Sequence, residues 1–191
     1  MSFLDDLNRR YDGGVTLLQL REKNRTTLEY YELARKVKKL TDAYGVPLMI
    51  DDRVDIALAV DAAGVHVGAE DMPVREARRL MGPDKIVGAT AKRVDTAMQA
   101  EADGADYLGV GAIYPTTTKV KTVLTSVETL QDICAHVSIL VGAIGGLNAE
   151  NCEILKGTGI KGICVVSAIM KQENSYDAAK ALKAKIMTIC K

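Results

Sequence analysis

Seven apolar runs along the chain each end in a cluster of small, hydroxylated or charged residues. They cover residues 15–20, 46–50, 64–68, 86–89, 107–113, 139–144 and 162–166. Apolar strands that alternate with helices predict a parallel sheet buried on both faces. Because polar residues follow the same end of every strand, we expect one shared site at the carboxyl edge of the sheet.

This alternation predicts a single α/β domain over residues 1–191, with the TIM (β/α)8 barrel as its fold class. The pattern shows seven strands, and a helix at about residues 3–10 has no strand before it. A barrel of this kind closes with eight strands. We therefore expect a barrel without its first strand, either because the chain is truncated at its N-terminus or because another element closes the gap.

Capping signals mark where several of the helices begin. Thr26 followed by Glu29, and Thr125 followed by Glu128, fit the capping box, in which the two side chains satisfy free backbone N–H groups. Asn148 fits the cap of a helix after the run 139–144. Each signal places a helix directly after a predicted strand and its loop.

Composition and charge narrow the class of protein. The 25 basic and 25 acidic residues cancel, so no basic excess indicates a nucleic-acid partner. No apolar run approaches the roughly 18 residues of a membrane span, and charged residues in the first turns argue against a signal peptide. The four widely spaced cysteines do not fit a zinc site or a disulfide framework. We expect a cytoplasmic protein that acts on small molecules, with its oligomeric state left open.

Two segments have the composition of phosphate-binding loops. Gly145 and Gly146 lie between a strand and a helix, where backbone N–H groups can approach a phosphate, and Val166 and Ser167 end the next strand. The alternative is that the glycines only form a tight turn. The second segment is a hydroxyl-rich loop that ends in a cation, and it is either a lid over the site or a polar surface loop; it comprises Thr116, Thr117, Thr118 and Lys119.

The end of the first strand carries Gln19, Arg21 and Lys23 at alternate positions. The two-residue period of a strand places the three side chains on one face, which would point into the barrel mouth. Two cations there would attract an anion, and the Gln19 amide could orient a heterocycle. A set of salt bridges against neighbouring helices is the alternative.

Acidic residues follow the next two strands: Asp51 and Asp52 after the second run, Glu70 and Asp71 after the third. Carboxylates from neighbouring strand ends suit Mg²⁺, which binds a few carboxylates together with water and substrate phosphate oxygens. A structural ion-pair network with Arg53 or Arg75 is the alternative. His66 alternates with two valines, which favours a hydrogen-bonded core or rim histidine over a catalytic one.

Six motifs at matched spacing resemble those of the thiamine phosphate synthase family. They are Gln-Leu-Arg-Glu-Lys at 19–23, Asp-Asp-Arg-Val-Asp at 51–55, Gly-Val-His-Val-Gly at 64–68, Glu-Asp at 70–71, Tyr-Pro-Thr-Thr-Thr-Lys at 114–119 and Ile-Gly-Gly at 144–146. The resemblance implies a transferase that joins hydroxymethylpyrimidine diphosphate to a thiazole phosphate, giving thiamine phosphate and pyrophosphate. It also implies Mg²⁺ as the cofactor, and a chemical step in which pyrophosphate leaves before the thiazole nitrogen attacks.

The resemblance also implies a role for each matching residue. Arg21, Lys23 and Lys119 would act catalytically on the pyrophosphate, with Thr90 as a further pyrophosphate ligand. Gln19 and Asp51 would contact the aminopyrimidine, and Asp52 and Asp71 would bind Mg²⁺. The thiazole phosphate would be held by the threonine loop, by Gly146, and by Val166 with Ser167.

Five positions depart from the family pattern. Asp51 stands where Asn is usual, Thr90 replaces Ser, Lys92 stands where His is common, Ala69 replaces Gln, and Lys121 stands where Asp often follows the loop lysine. With the missing strand, they keep two rival functions open. One is a thiazole tautomerase, a related barrel that needs neither the metal carboxylates nor the threonine loop, and the other is a non-catalytic fragment that binds phosphate ligands.

Overall fold

The computed structural model describes residues 13–116 and 123–190. Within these residues, seven strands alternate with helices. The strands are β1 (Leu18–Leu20), β2 (Leu48–Asp51), β3 (Gly64–Val67), β4 (Ile86–Ala91), β5 (Tyr107–Gly111), β6 (Leu140–Ile144) and β7 (Gly162–Cys164). The helices are α1 (Thr27–Ala43), α2 (Val54–Ala59), α3 (Val74–Met81), α4 (Val94–Ala102), α5 (Val127–His136), a 3-10 turn (Cys152–Leu155), α6 (Ser167–Met170) and α7 (Ser175–Ile189). The helix expected at about residues 3–10 lies outside the described residues.

The strands form one parallel sheet in the sequential order β1 to β7. Sequential parallel strands joined by right-handed crossovers place every connecting helix on the same side, so the sheet curls with the helices outside. This confirms the predicted barrel-type α/β fold. In the part of the chain that the structure describes, β1 and β7 form the two edges, and no further strand joins them.

The two faces of the sheet differ in chemistry. The outer face is apolar and packs against the helices, with Ile50, Val65 and Leu108 each fully buried. Burying such a side chain contributes about 2 kcal/mol. The inner face carries glycine and polar residues instead, which alternate with the apolar ones along the strands. The inner face also holds apolar residues such as Met49, and every residue of β2 and β3 is buried, so the prediction of a sheet buried on both faces is confirmed for these two strands.

The helix caps follow the predicted signals, with a shift of one residue in α5. Thr26 and Glu29 form the expected capping box at the start of α1, where Glu29 Oε2 accepts a 2.8 Å hydrogen bond from the Thr26 N–H. At α5 the cap is Ser126 rather than Thr125. The Thr125 N–H donates to the Ala112 carbonyl instead, because it lies alongside the end of β5.

The segment after β6 contains less helix than the sequence indicates. Asn148 caps a turn, where its Oδ1 accepts from the backbone N–H groups of Glu150 and Asn151 at 2.8 and 3.1 Å. A single 3-10 turn then begins only at Cys152.

Among the described residues, the helices are all too short or too polar to cross a membrane.

Candidate active site

Two ion pairs join the carboxyl ends of β1 and β2. Arg21 Nε lies 3.1 Å from Asp51 Oδ2, and the Lys23 ammonium contacts Asp52 Oδ2. Both carboxylates are mostly shielded from solvent, whereas both cations keep nearly half of their side chains exposed. Both predicted cations therefore pair with carboxylates at the end of β2 rather than with a helix, and each keeps part of its side chain exposed. Gln19 is exposed on β1, two residues before Arg21.

A buried tyrosine holds these two strand ends together. The Tyr30 hydroxyl, on α1, donates to the Leu20 carbonyl at 2.8 Å and lies 3.4 Å from the Asp51 carbonyl. Burial, with the nearby Asp51 carboxylate, raises the pKa of Tyr30 well above its ordinary value, so the hydroxyl stays a donor. Sequence reasoning missed this residue, although its position four residues after the Thr26 cap places it on the first turn of α1.

Asp52 and Asp71, which follow the ends of β2 and β3, line a common cavity of about 490 Å³, and residues of the helices α2 and α3 form much of the rest of its lining. Asp52 adopts a left-handed backbone with φ of 64°, and its N–H donates to the His66 carbonyl at 2.8 Å. Asp71 Oδ2 accepts from the Gly68 N–H at 2.9 Å. A Cβ at position 68 would lie only 2.8 Å from that oxygen, so glycine leaves room for the carboxylate.

These two carboxylates suit Mg²⁺ better than a metal that needs a full set of protein ligands. No group of three or more His, Cys, Asp or Glu side chains comes together among residues 13–116 and 123–190. Magnesium commonly binds one or two carboxylates and completes its octahedron with water and phosphate oxygens. The alternative ion-pair partners are engaged elsewhere, Arg53 with Asp55 and Arg75 with Asp103.

A second cavity of about 300 Å³ lies at the ends of β6 and β7. Its lining comprises Gly146, Leu147, Asn148, Ser167, Ala168, Lys171 and Gln172. Gly146 has φ of 64°, and a Cβ there would approach Tyr114 Cβ to 2.6 Å, so the tight turn also requires glycine. The structure thus brings Gly146 and Ser167 together as predicted, and it places the half-exposed Val166 directly before Ser167.

Lys171 is a cavity residue that the sequence analysis missed. It lies four residues after Ser167, at the end of the short helix α6, so both side chains occupy the same face of that turn. The sequence pattern predicted a strand as far as residue 166. Because β7 ends at Cys164, a short helix begins at Ser167, and it brings Lys171 to the cavity. The i, i+4 spacing to Ser167 was the signal that could have found it.

A buried polar group occupies the inner face of the sheet. His66 Nδ1 lies 2.9 Å from the Tyr107 hydroxyl, and His66 Nε2 lies 3.0 Å from the Thr90 hydroxyl. Burial lowers the pKa of His66 to about 4, against a partly opposing effect of Asp71. The interpretation of His66 as a hydrogen-bonded histidine is confirmed, and one of its partners is the predicted pyrophosphate ligand Thr90.

The threonine loop is only partly described. Thr116 ends the first described range, half-buried, while Thr117, Thr118, Lys119 and Lys121 lie outside the described residues.

The four cysteines are free thiols, as expected. Burial raises the pKa of the Cys164 thiol at the end of β7, which disfavours the thiolate.

Comparisons with known proteins place the chain in a family. The profile of the family described as thiamine monophosphate synthase matches residues 1–169. Thiamine-phosphate synthase 2 of Streptococcus pneumoniae is 53% identical over 188 residues, covering 98% of this chain and 90% of that protein. The thiamine-phosphate synthase of Enterococcus faecalis is 54% identical over 180 residues, covering 94% of this chain and 85% of its own length.

A solved structure extends the agreement to the fold. The thiamine phosphate pyrophosphorylase of Pyrococcus furiosus superposes with a TM-score of 0.91 at 38% identity, covering all of this chain and 92% of that one. The two relatives share more than half of their aligned residues with this chain over almost its whole length, and this identity shows the family. The chain belongs to the thiamine monophosphate synthase family.

Proposed function

We propose that this chain is a thiamine-phosphate synthase, which joins hydroxymethylpyrimidine diphosphate to a thiazole phosphate and releases pyrophosphate. The observation that carries the proposal is a pair of cavities at the carboxyl edge of one sheet. One is lined by Asp52 and Asp71 and the other by Gly146 and Ser167. Two phosphorylated substrates need two anion-binding regions on the same edge, and the relatives carry the name of this activity.

Asp52 and Asp71 would hold Mg²⁺. Both carboxylates face one cavity, and their number leaves coordination positions for water and pyrophosphate oxygens. The ion would supply positive charge beside the pyrophosphate as its negative charge increases. The Lys23 ammonium that contacts Asp52 would add to that charge, and nearly half of its side chain is exposed to solvent.

The chemical step needs charge stabilisation rather than a protein nucleophile. The bond between the pyrimidine methylene and the pyrophosphate oxygen breaks, and the oxygen keeps the electron pair. Arg21, Lys23, Thr90 and Lys119 would stabilise the departing anion through charge and hydrogen bonds. The lone pair of the thiazole nitrogen then forms the new carbon–nitrogen bond with the pyrimidine-methyl cation.

The remaining site residues would bind and orient the two substrates. Gln19 in β1 and Asp51 at the end of β2 lie on adjacent strands, where they would contact the aminopyrimidine. The Arg21 guanidinium balances the charge that Asp51 introduces in place of the usual amide. Gly146, Val166 and Ser167 would bind the thiazole phosphate with Thr116, Thr117 and Thr118, and Lys171 adds a cation to that cavity. We expect this reaction to take place in the cytoplasm.

The test is product formation by the purified chain. We would incubate it with both substrates and Mg²⁺, then with EDTA, and follow thiamine phosphate and pyrophosphate by chromatography. Mg²⁺-dependent formation of both products supports the synthase. Turnover of thiazole alone would indicate a tautomerase, and substrate binding without products would indicate a non-catalytic protein; either result contradicts the proposal.

A further inference from the structure

Three side chains from neighbouring strands form a continuous hydrogen-bonded row across the inner face. His66 on β3 lies opposite Gly88 on β4, which in turn lies opposite Tyr107 on β5. The imidazole spans this row: Nδ1 is 2.9 Å from the Tyr107 hydroxyl, and Nε2 is 3.0 Å from the hydroxyl of Thr90, two residues beyond Gly88. His66 is only 8% exposed.

Two glycines make the room for this row. A Cβ at Gly88 would lie 2.2 Å from Cζ of Tyr107, and a Cβ at Gly109 would lie 3.3 Å from Cε1 of His66. Any side chain at position 88 would therefore displace the tyrosine ring. The rings occupy space that the neighbouring strands leave open, so their placement is a specific feature of these three strands.

Counting protons leaves two directions of hydrogen bonding, which differ in the hydroxyl hydrogen that stays without a partner in the row. A buried neutral imidazole donates from one nitrogen and accepts at the other. In one direction the Tyr107 O–H donates to Nδ1, Nε2–H donates to Thr90 Oγ1, and the Thr90 hydrogen is free to donate outward. In the reverse direction Thr90 donates to Nε2, Nδ1–H donates to Tyr107, and the tyrosine proton needs another acceptor. Among the described residues, His66 is the hydrogen-bond partner of both hydroxyls, so each direction leaves one hydroxyl hydrogen for a partner outside the row. An anion beside Thr90 would accept the Thr90 hydrogen, and this favours the first direction.

We propose that His66 and Tyr107 are positioning residues, which fix the Thr90 hydroxyl so that its hydrogen points to the pyrophosphate of the pyrimidine substrate. The inference rests on the proposed function, because that function places Thr90 on the pyrophosphate. A hydroxyl can turn its hydrogen or its lone pairs toward a ligand, and lone pairs would repel an anion. A donor that is oriented before pyrophosphate leaves requires no reorganisation during the reaction.

The tautomer of His66 tests the direction of the row without substrate. In ¹⁵N-labelled protein, long-range proton–nitrogen correlations distinguish a protonated Nε2 from a protonated Nδ1. His136 is the other histidine of the chain, so a His136→Gln sample assigns the signals. We expect the Nε2–H tautomer in the wild type, and a Tyr107→Phe variant, which removes the donor to Nδ1, should weaken that preference. A wild-type protein with Nδ1–H would overturn the proposal.

Kinetics of a double-mutant cycle test the role in the reaction. His66→Gln places an amide N–H near the position of Nε2, whereas His66→Asn is too short to reach Thr90. We expect His66→Asn to lower kcat/KM for the pyrimidine diphosphate about tenfold, the size of one lost hydrogen bond to a charged ligand, with the KM for thiazole phosphate unchanged. We expect His66→Gln to keep most of the activity.

Thr90→Val completes the cycle. If His66 acts through Thr90, the double variant His66→Asn/Thr90→Val should be no slower than Thr90→Val alone. Losses that multiply, or an equal effect on both substrates, would overturn the positioning role, and circular dichroism of each variant controls for folding. A wild-type chain that makes no thiamine phosphate contradicts the proposed function, whereas an active wild type matched by His66→Asn contradicts only this inference.

Discussion

Asp51 and Asp52 are adjacent in the chain but point to different parts of the site. Asp51 continues β2 and pairs with Arg21, while Asp52 takes a left-handed backbone and pairs with Lys23. A left-handed conformation is uncommon for a residue with a side chain, although Asp tolerates it better than most. This turn directs the Asp52 carboxylate into the cavity shared with Asp71 and leaves the Asp51 carboxylate beside Arg21.

The metal assignment predicts a large effect at Asp71. Asp71→Asn should lower kcat for thiamine phosphate formation about a hundredfold or more, because it removes a charge that binds Mg²⁺. The amide oxygen can still accept from the Gly68 N–H, so the fold should be intact. Turnover measured against Mg²⁺ concentration checks the prediction.

A matched control keeps this experiment specific. Asp84→Asn removes an exposed carboxylate two residues before β4, at the opposite edge of the sheet, and should leave turnover unchanged. Wild-type turnover in Asp71→Asn would remove Asp71 from the proposed metal site.

At the scale of elements, β3, β4 and β5 position the inner face through residue size. The pairs His66–Gly88 and Gly88–Tyr107 alternate large and absent side chains at one level of the sheet. The rings of His66 and Tyr107 meet at one level of the sheet because the strand between them, β4, contributes only backbone there. Gly88 therefore stabilises the packing of the two rings, although a glycine inside a strand usually weakens that strand.

Gly88→Ala should destabilise the protein by about 1–3 kcal/mol, the range for overpacking a filled interior. Its new methyl group would overlap the Tyr107 ring. The free energy of unfolding in urea, read by circular dichroism, measures the change.

Gly162→Ala in β7 serves as the comparison, because a Cβ there meets no atom within 4 Å. We expect its unfolding free energy to stay within about 0.5 kcal/mol of the wild type or to rise, since alanine restricts the unfolded chain. Equal losses in both variants would show that the inner face adapts to a methyl group at position 88.

At the scale of the whole molecule, burial of a titratable group on the inner face couples stability to pH. The folded protein holds the pKa of His66 at about 4, below the ordinary value of 6.5 in an unfolded chain. Tyr107 and Thr90 contact the imidazole, and Asp71 is the charge that acts on it. Below pH 6.5 the unfolded chain therefore binds a proton that the folded protein does not.

The unfolding free energy should fall as the pH decreases from about 6.5 to about 4. His66 accounts for about 3 kcal/mol of that fall, because each pKa unit corresponds to about 1.4 kcal/mol. Urea unfolding of the wild type and of His66→Gln at several pH values isolates this part from the carboxylates that both proteins share. Parallel pH profiles in the two proteins would contradict it.

The sequence by itself determined the strands, the polar residues that follow the strand ends, and the family. Apolar runs predicted all seven described strands, with ends displaced by up to three residues, and the motif residues predicted the cations and carboxylates at the carboxyl edge. These features are local: each depends on a short pattern or on residues that follow directly after a strand. That the whole chain forms one domain stays a prediction.

Tertiary structure alone decided which groups meet. The pairing of Arg21 with Asp51, the Tyr30 bridge and the contact of His66 with Tyr107 join residues at least 10 positions apart, through strand register. No local pattern encodes register between neighbouring strands, or the length of a short turn such as α6, which placed Lys171 in the second cavity. The chemistry was visible in the sequence because it depends on residue type, whereas the partners depend on packing of the entire sheet.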